Sequence, residues 1–201
     1  MAIYLIRHGE SEGNRTAKVQ GCGDFELSTK GKRQALRLGE SFADTSIDHF
    51  YSSDLTRARE TAAAMEKYQQ QKAIPSKDFR EIYLGPLEGK TRDQIFEMYP
   101  HVRDKTILRS GLEGTETDEE ITIRCEKLYR LVRSIKADET AAIVSHGGFL
   151  SIFLMYLLAG ENWHTLHRPF RIDNTGVSKI SWKEERLVIH YINQYHHLKN
   201  T

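Results

Sequence analysis

The sequence predicts an α/β fold in three layers, with a mostly parallel central sheet flanked by helices. Residues 3–6 and 141–144 are short apolar runs, as expected for strands buried on both faces of a parallel sheet. Each run ends in a polar turn that contains glycine, and segments with helical periodicity lie between the two runs. Ligands bind beyond the carboxyl ends of such strands, so both turns are candidate parts of a binding site.

The bulk composition excludes several classes of function. The chain has 201 residues, 39% of them apolar and 28% charged, which suits one well-buried domain over 1–201. The formal net charge is +1 and like charges do not form long blocks, so neither nucleic acid nor membrane is an expected partner. Cys22 and Cys125 have no metal-type spacing, and no secretory signal or bilayer-length apolar span is present. We therefore expect a cytoplasmic protein with reduced thiols; its oligomeric state stays open, with a homodimer as one candidate.

The remaining elements are predicted from periodicity, capping residues and turns. In chain order we expect a helix over 28–43 capped by Ser28, a strand over 47–51, a helix capped by Asp54, a short strand over 73–77, and a helix from the Thr91–Gln94 capping box to Pro100. A helix capped by Thr117 with Glu120, a core helix over 149–160, and either a β-hairpin or a pair of edge strands over 177–192 follow. Residues 101–116 show little periodicity, and we expect this insertion to cover the substrate. Cys125 falls on the apolar stripe of its helix and is interpreted as a core residue.

Arg57 has an unusual position. It lies at the N-terminal end of the helix predicted to start near Asp54, where the helix dipole is positive and a basic residue is unfavourable. We therefore interpret Arg57 as a residue that binds an anion. Arg7 and His8 follow the first strand, and an arginine fork beside a histidine is suited to phosphate chemistry.

Five blocks of the sequence resemble the histidine phosphatase superfamily of phosphoglycerate mutase-like proteins, in that family's order and spacing. The blocks are LIRHGESEGN at 5–14, QGCGDFELSTKG at 20–31, YSSDLTRARETA at 51–62, REIYLGPLEGKT at 80–91 and IVSHGGFL at 143–150. Together they extend over most of the chain. The resemblance implies a phosphoglycerate mutase-like fold and phosphoryl-transfer chemistry at a histidine.

The resemblance also implies roles for individual residues. His8 matches the nucleophilic histidine, and Arg7 and Arg57 match the arginines that clamp the phosphoryl oxygens. His146 matches the second pocket histidine, and Glu81 matches the proton donor of the phosphatase branch, with Glu88 as a nearby competitor for that role. The residues expected to contact substrate in addition to these catalytic ones are Asn14, Gln20, Gly21 and Gly147.

The resulting hypothesis is a phosphomonoester hydrolase of the histidine acid phosphatase type, which acts on small phosphorylated metabolites and needs neither metal nor cofactor. The histidines at 164, 167, 196 and 197 lack the accompanying residues of a metal site. One alternative is a phosphoglycerate mutase, although the compact chain and the LGPLEG block are typical of the phosphatase branch. Another is a phosphate-binding module without turnover, which would need neither a nucleophile at His8 nor a proton donor at Glu81.

Overall fold

A six-stranded sheet lies at the centre of the protein, in the order β3-β2-β4-β1-β5-β6. The computed structural model describes residues 1–104, 106–167 and 169–199. The strands are β1 (Ala2–Arg7), β2 (His49–Ser53), β3 (Ile74–Ser76), β4 (Thr140–Ser145), β5 (Val177–Lys183) and β6 (Arg186–Gln194). The helices are α1 (Glu12–Arg15), α2 (Thr29–Ser41), α3 (Thr56–Glu66), α4 (Arg92–Met98), α5 (Asp118–Arg133) and α6 (Gly147–Ala159).

Strands β1 to β4 form the parallel part of the sheet, and β5 and β6 add an antiparallel hairpin next to β1. The register between β1 and β4 runs from Ala2 opposite Thr140 to Arg7 opposite Ser145. The two strands therefore end side by side, and the polar turns that follow them lie at the same edge of the sheet. The predicted α/β class and mostly parallel sheet are confirmed.

The central strands are buried on both faces. Leu5 and Ile143 belong to the apolar core on one side of the sheet, whereas their neighbours Ile6 and Val144 belong to the core on the other side. This alternation follows from the twofold periodicity of a strand. The first core is completed by α5 and α6 and the second by α2 and α3, through residues that include Leu128, Val132, Phe149 and Phe153 on the first side and Leu38, Ala58, Ala62 and Met65 on the second.

Helices α5 and α6 agree with their sequence patterns. Cys125 is fully buried on the stripe of α5, as its interpretation as a core residue requires. Helix α6 is buried along most of its length and lies within the first core, so the apolar run at 149–160 is a core helix. Across the described ranges, no helix combines the length and the apolarity that a bilayer crossing requires.

One capping prediction is wrong. Helix α3 starts at Thr56, and Asp54 lies too early to cap it. Instead, the backbone N–H of Thr56 donates to the carboxylate of Asp24, 2.8 Å away, so a distant loop caps this helix. The carboxylate of Asp54 accepts two hydrogen bonds from Arg80, at 2.6 and 2.7 Å. This bidentate pair joins the start of α3 to the residue that precedes Glu81.

The segments between the main elements contain short turns that the sequence did not indicate. Helix α1 forms one helical turn inside the polar turn predicted after β1, with a capping box between Ser11 and Asn14. The insertion contains two 3₁₀ turns, Pro100–Asp104 and Ile107–Arg109. Lys105 lies outside the described residues.

Helix α2 approaches the turn after β1 without any intervening side chain. A Cβ atom at Gly31 would lie 1.9 Å from the carbonyl oxygen of Glu10, and one at Gly9 would lie 2.7 Å from the carbonyl oxygen of Gly31. Both distances are below van der Waals contact, so only glycine permits this approach. The packing of α2 therefore fixes the path of the backbone directly after His8.

Gly31→Ala tests this close approach. At an open helical position the same change stabilises by about 1 kcal/mol, because alanine has the higher helix propensity. Here we expect the free energy of unfolding to fall by about 2 kcal/mol, since the added methyl group forces the backbone of residues 9–10 away from α2. Urea unfolding measures the change. Lys32→Ala on the exposed face of α2 is the control, and a gain in stability for Gly31→Ala would contradict the proposed contact.

Candidate active site

A cavity of about 770 Å³ opens at the carboxyl edge of the parallel strands. Its described lining includes most of the residues expected at the site, namely Arg7, His8, Asn14, Gln20, Gly21, Arg57, Glu81 and Gly147. They come from the end of β1 and the turn after it, α1 and the loop that follows it, the start of α3, the segment before α4 and the start of α6. His146 is not part of the lining and lies behind it, next to His8.

The ring of His8 is buried, with 2% of the residue exposed. Its Nδ1 lies 2.6 Å from the carbonyl oxygen of Gly9. A carbonyl oxygen only accepts hydrogen bonds, so Nδ1 carries the proton and Nε2 keeps its lone pair. Burial, followed by the positive charges of Arg57 and Arg7, holds the pKa of His8 well below 6.5. His8 is therefore a neutral imidazole with an available nucleophilic nitrogen at neutral pH.

His146 lies beside His8, with ring centroids 5.0 Å apart. It is fully buried, and burial together with the charge of Arg57 holds its pKa well below 6.5. A neutral imidazole has one N–H donor and one acceptor nitrogen. His146 can therefore donate one hydrogen bond without adding a positive charge to the site.

The two arginines are held by backbone carbonyl groups. Arg57 donates from Nη1 to Gly23, at 2.8 Å, and from Nη2 to Gly21, at 2.7 Å. Arg7 donates from Nη1 to the carbonyl oxygen of Ile172, at 2.7 Å. Burial lowers the pKa of Arg57 to about 10, so its guanidinium stays charged at neutral pH. These contacts orient both guanidinium groups and leave other N–H groups available.

Four buried polar atoms near His8 have no hydrogen-bond partner within the described part of the chain. They are Nε of Arg7, Nε of Arg57, and Nδ1 and Nε2 of His146. A buried polar group without a partner costs about 1–3 kcal/mol, so native proteins rarely concentrate such groups in one place. The N–H groups among them are therefore suited to hydrogen bonds with a polar ligand in this pocket.

The carboxylate of Glu81 lies against the start of α6. Its Oε1 accepts from the backbone N–H groups of Phe149, at 2.8 Å, and Ile82, at 3.0 Å, and its Oε2 accepts from that of Gly148, at 2.9 Å. A Cβ at Gly148 would lie 2.5 Å from Oε1, so glycine is required for this approach. The N-terminus of α6 thus fixes the carboxylate at the cavity wall.

Glu88, the competitor of Glu81, does not line the cavity. Its Oε1 accepts from the backbone N–H groups of Cys22, at 2.8 Å, and Leu84, at 3.0 Å. Gly21 has a φ of +49°, and a Cβ there would lie 2.1 Å from the same oxygen. Glu88 therefore supports the loop whose carbonyl groups hold Arg57, and the geometry favours Glu81 as the acid that faces the ligand.

Asn14 and Gln20 belong to one polar network beside the cavity. The Oε1 of Gln20 accepts from the hydroxyl of Ser11, at 2.6 Å, and the Oδ1 of Asn14 accepts from Nδ2 of Asn174, at 3.1 Å. Gly147 lies against Arg7, where a Cβ would come within 3.1 Å of Cδ and Nε. All three residues line the cavity, and their contact with a ligand stays a prediction.

Sequence reasoning missed the turn before β5. Asn174 donates from Nδ2 to the backbone oxygen of His8, at 3.2 Å, as well as to Asn14, and Asp173 lines the cavity. The turn motif at 173–176 is visible in the sequence. Its importance depends on β5 being antiparallel to β1, because only then does the start of β5 lie at the carboxyl edge of β1.

The cavity also contains basic residues that sequence reasoning did not select. They are Lys18, Arg92, Arg103 and Arg171. Within 1–104, 106–167 and 169–199, no group of three or more histidine, cysteine, aspartate or glutamate side chains is arranged to hold a metal ion. The ring of His164 instead contacts the carbonyl oxygen of Glu161, and that of His197 contacts the hydroxyl of Thr175.

Known proteins share both the sequence pattern and the fold. The probable phosphoglycerate mutase GpmB of Escherichia coli O1:K1 is 27% identical over 188 residues, which cover 92% of this chain and 86% of that protein. The solved structure of YhfR from Bacillus stearothermophilus matches with a TM-score of 0.85 and 28% identity, over 98% of both chains. A mutant of phosphoserine phosphatase from Entamoeba histolytica, solved in complex with phosphoserine, matches with a TM-score of 0.79 and 26% identity, also over 98% of both chains.

A match to a whole protein family extends these individual similarities. Residues 3–195 match the histidine phosphatase superfamily (branch 1), so the match includes all five blocks and both polar turns. The fold and the geometry around His8 agree with this assignment. The chain is an enzyme that belongs to the histidine phosphatase superfamily.

Proposed function

We propose that this enzyme is a metal-independent phosphomonoesterase that hydrolyses small phosphorylated metabolites through a phosphohistidine at His8. The state of His8 carries the proposal. Its Nδ1 is bonded to the carbonyl oxygen of Gly9, its pKa is lowered by burial and by two arginines, and its Nε2 is available. A neutral nucleophile between two guanidinium groups fits attack on a phosphoryl group.

The pocket would bind the phosphoryl group through charge-assisted hydrogen bonds. Arg7 and Arg57 supply N–H groups beyond those bonded to carbonyl oxygens, and His146 supplies a further donor. Phosphoryl transfer spreads negative charge over the equatorial oxygens, and fixed donors in a buried site stabilise that charge. In this complex, Nε of both arginines and the protonated ring nitrogen of His146 would obtain hydrogen-bond acceptors.

In the first half-reaction, Nε2 of His8 attacks phosphorus, a P–N bond forms and the P–O bond to the leaving group breaks. The leaving alkoxide takes a proton from Glu81. Oε1 of Glu81 accepts two backbone hydrogen bonds and Oε2 accepts one, so Oε2 has the lone pair better placed to exchange a proton. Substrate and free enzyme would thus give an alcohol and phospho-His8.

In the second half-reaction, water attacks phospho-His8 and gives up a proton to the carboxylate of Glu81. The P–N bond breaks, phosphate leaves, and both residues return to their initial states. The relative solved with phosphoserine supports a small phosphomonoester as the substrate.

A mutase is the second candidate, because GpmB of Escherichia coli is named a probable phosphoglycerate mutase. In that case phospho-His8 would return its phosphoryl group to a second hydroxyl group instead of passing it to water. Isomerisation of phosphoglycerate that requires a bisphosphorylated primer, without release of phosphate, would favour this candidate.

His8→Ala tests the nucleophile. We expect wild-type enzyme to release phosphate from a panel of phosphomonoesters equally well with and without chelator, and His8→Ala to lose at least about a thousandfold in kcat/KM. Quenched turnover of radiolabelled substrate should label wild-type enzyme through an acid-labile bond. His190→Ala, on the exposed part of β6, is the control and should keep both activity and label. Turnover without any labelled enzyme would contradict the mechanism.

Glu81→Gln tests the proton donor through the leaving group. For an alkyl phosphate, whose alkoxide needs a proton, we expect kcat to fall by about 10²–10⁴-fold. For p-nitrophenyl phosphate, whose phenolate leaves without a proton, the loss in the first half-reaction should be much smaller. Pre-steady-state release of the leaving group isolates this step. Glu113→Gln, exposed and outside the cavity, is the matched control, and an equal loss for both substrates in Glu81→Gln would contradict the assigned role.

The lowered pKa of His8 predicts the pH range in which His8 stops being a neutral nucleophile. Protonation removes the lone pair of Nε2, and because burial and Arg57 lower the pKa, this should occur only well below pH 6.5. Arg57→Gln removes the largest charged contribution and should raise the pKa of His8. Nuclear magnetic resonance titration of labelled histidine, with the His8 signal assigned from His8→Gln, measures both values. A wild-type pKa at or above 6.5 would contradict the described environment.

A further inference from the structure

Arg124 connects helix α5 to the segment that carries Glu81. It lies on α5, and 15% of its side chain is exposed. Its Nη1 donates to both carboxylate oxygens of Glu116, at 2.7 and 2.8 Å, and the side chain of Glu116 is 8% exposed. The described lining of the active-site cavity includes neither residue. Arg124 and Glu116 thus form a largely buried ion pair outside that cavity.

The guanidinium of Arg124 holds the backbone that leads to Glu81. Its Nη2 donates to the carbonyl oxygen of Arg80, and its Nε and Nη2 donate to that of Asp78, at 3.4 and 3.3 Å. The side chain of Arg80 is itself held by Asp54. The residue before Glu81 is therefore fixed at its carbonyl group by Arg124 and at its side chain by Asp54.

Glu116 holds the backbone on the other side of Glu81. Its Oε2 accepts from the backbone N–H of Tyr83, at 2.9 Å, and its own backbone N–H donates to the carbonyl oxygen of Tyr83, also at 2.9 Å. Arg124 and Glu116 thus contact the chain before and after Glu81. Because the two side chains are bonded to each other, they restrain residues 78–83 as one unit.

Arg124 also contacts a residue that orients the carboxylate of Glu81. Its Cζ lies 4.3 Å from the centroid of the Phe149 ring, which is fully buried at the start of α6. A guanidinium over an aromatic face is held there by attraction to the ring. The backbone N–H of Phe149 donates to Oε1 of Glu81, at 2.8 Å. Arg124 therefore restrains both the main chain that carries the carboxylate and one of the N–H groups that orients it.

The geometry of the Arg124–Glu116 pair is better suited to positioning than to stability alone. Desolvation of two charges offsets much of their attraction, and neutral replacements of a buried pair often leave the stability unchanged or raise it. The planar fork of an arginine, in contrast, bonds several oxygens in fixed directions. Proton transfer depends on such fixed geometry, because a displacement of about 1 Å can lower a rate about a hundredfold.

We infer that Arg124, paired with Glu116, is a positioning residue that holds the carboxylate of Glu81 where it protonates the leaving group. The inference rests on the proposed function, in which Glu81 donates that proton and later accepts one from water. Arg124 lies outside the cavity lining, so its role is exerted through Glu81. Loss of the pair should therefore slow proton transfer and leave substrate binding unchanged.

Arg124→Lys tests the inference, because lysine keeps a positive charge but lacks the planar fork. We use the alkyl ester of the phosphomonoester panel that wild-type enzyme hydrolyses fastest, and follow enzyme labelling by rapid quench. The labelling rate should fall about 10–100-fold. The burst of p-nitrophenolate from p-nitrophenyl phosphate, whose leaving group needs no proton, should change less than about threefold. The substrate concentration that half-saturates each step should change less than about twofold, since binding is not affected.

A double variant gives the same test without an unpaired buried charge. Arg124→Met combined with Glu116→Gln removes both charges together, which preserves the fold better than removal of one partner. We expect the same selective loss for the alkyl ester, and urea unfolding verifies that the variant is folded. Arg130→Gln is the matched control, because Arg130 forms an exposed ion pair with Glu126 on the same helix. This control should keep both rates within about twofold of wild type, as is usual for an exposed pair.

The outcomes separate the inference from the proposed function. A selective loss for the alkyl ester in both Arg124 variants, but not in Arg130→Gln, would establish the positioning role. Equal losses for both esters, weaker binding, unchanged rates, or failure of both variants to fold would overturn the inference, while phosphate release by wild-type enzyme would still support the phosphatase. No phosphate release by wild-type enzyme from any ester would overturn the proposed function and the inference together.

Discussion

The parallel pairing of β1 with β4 is the constraint on which the site depends. Arg7 and Ser145 lie opposite each other at the ends of the two strands. The residues that follow them, His8 and His146, therefore lie close together at the edge of the sheet. Both strands are buried on both faces by the two apolar cores, so neither strand can shift its register without moving core residues to the wrong side. The precision of the histidine pair therefore derives from apolar packing remote from it.

Three glycine contacts turn this sheet edge into a pocket. Gly31 lets α2 press against the turn after His8, Gly21 lets its loop pass Glu88 and offer a carbonyl group to Arg57, and Gly148 lets the carboxylate of Glu81 reach the start of α6. At each of these positions, the polar group that belongs to the site is a backbone group or contacts the backbone. Side chains at these three positions would push the contacting segments apart. The site is therefore formed largely by close approach of main-chain segments.

The sequence predicted the fold class, the main elements and part of the cavity lining, because buried strands and family blocks leave strong local signals. It misplaced the cap of α3, since the acid that fulfils this role, Asp24, lies thirty-two residues before Thr56. It also missed Asn174, whose contact with the backbone of His8 depends on the antiparallel placement of β5. Interactions between segments distant along the chain leave no periodicity, and these were the ones that local patterns could not supply.

The charges of the site explain why its histidines and arginines occur together. Burying Arg7 and Arg57 is costly, and burial lowers the pKa of both; burial, assisted by the positive charges of the two arginines, also lowers the pKa of His8 and His146 and keeps both unprotonated. An anionic ligand would balance the positive charges of both arginines. It would also accept hydrogen bonds from their Nε atoms, which have no partner within the described residues. Arg7 and Arg57 thus combine two effects in one cavity: their charges help burial to keep His8 neutral, and their remaining N–H groups are available to an anionic ligand.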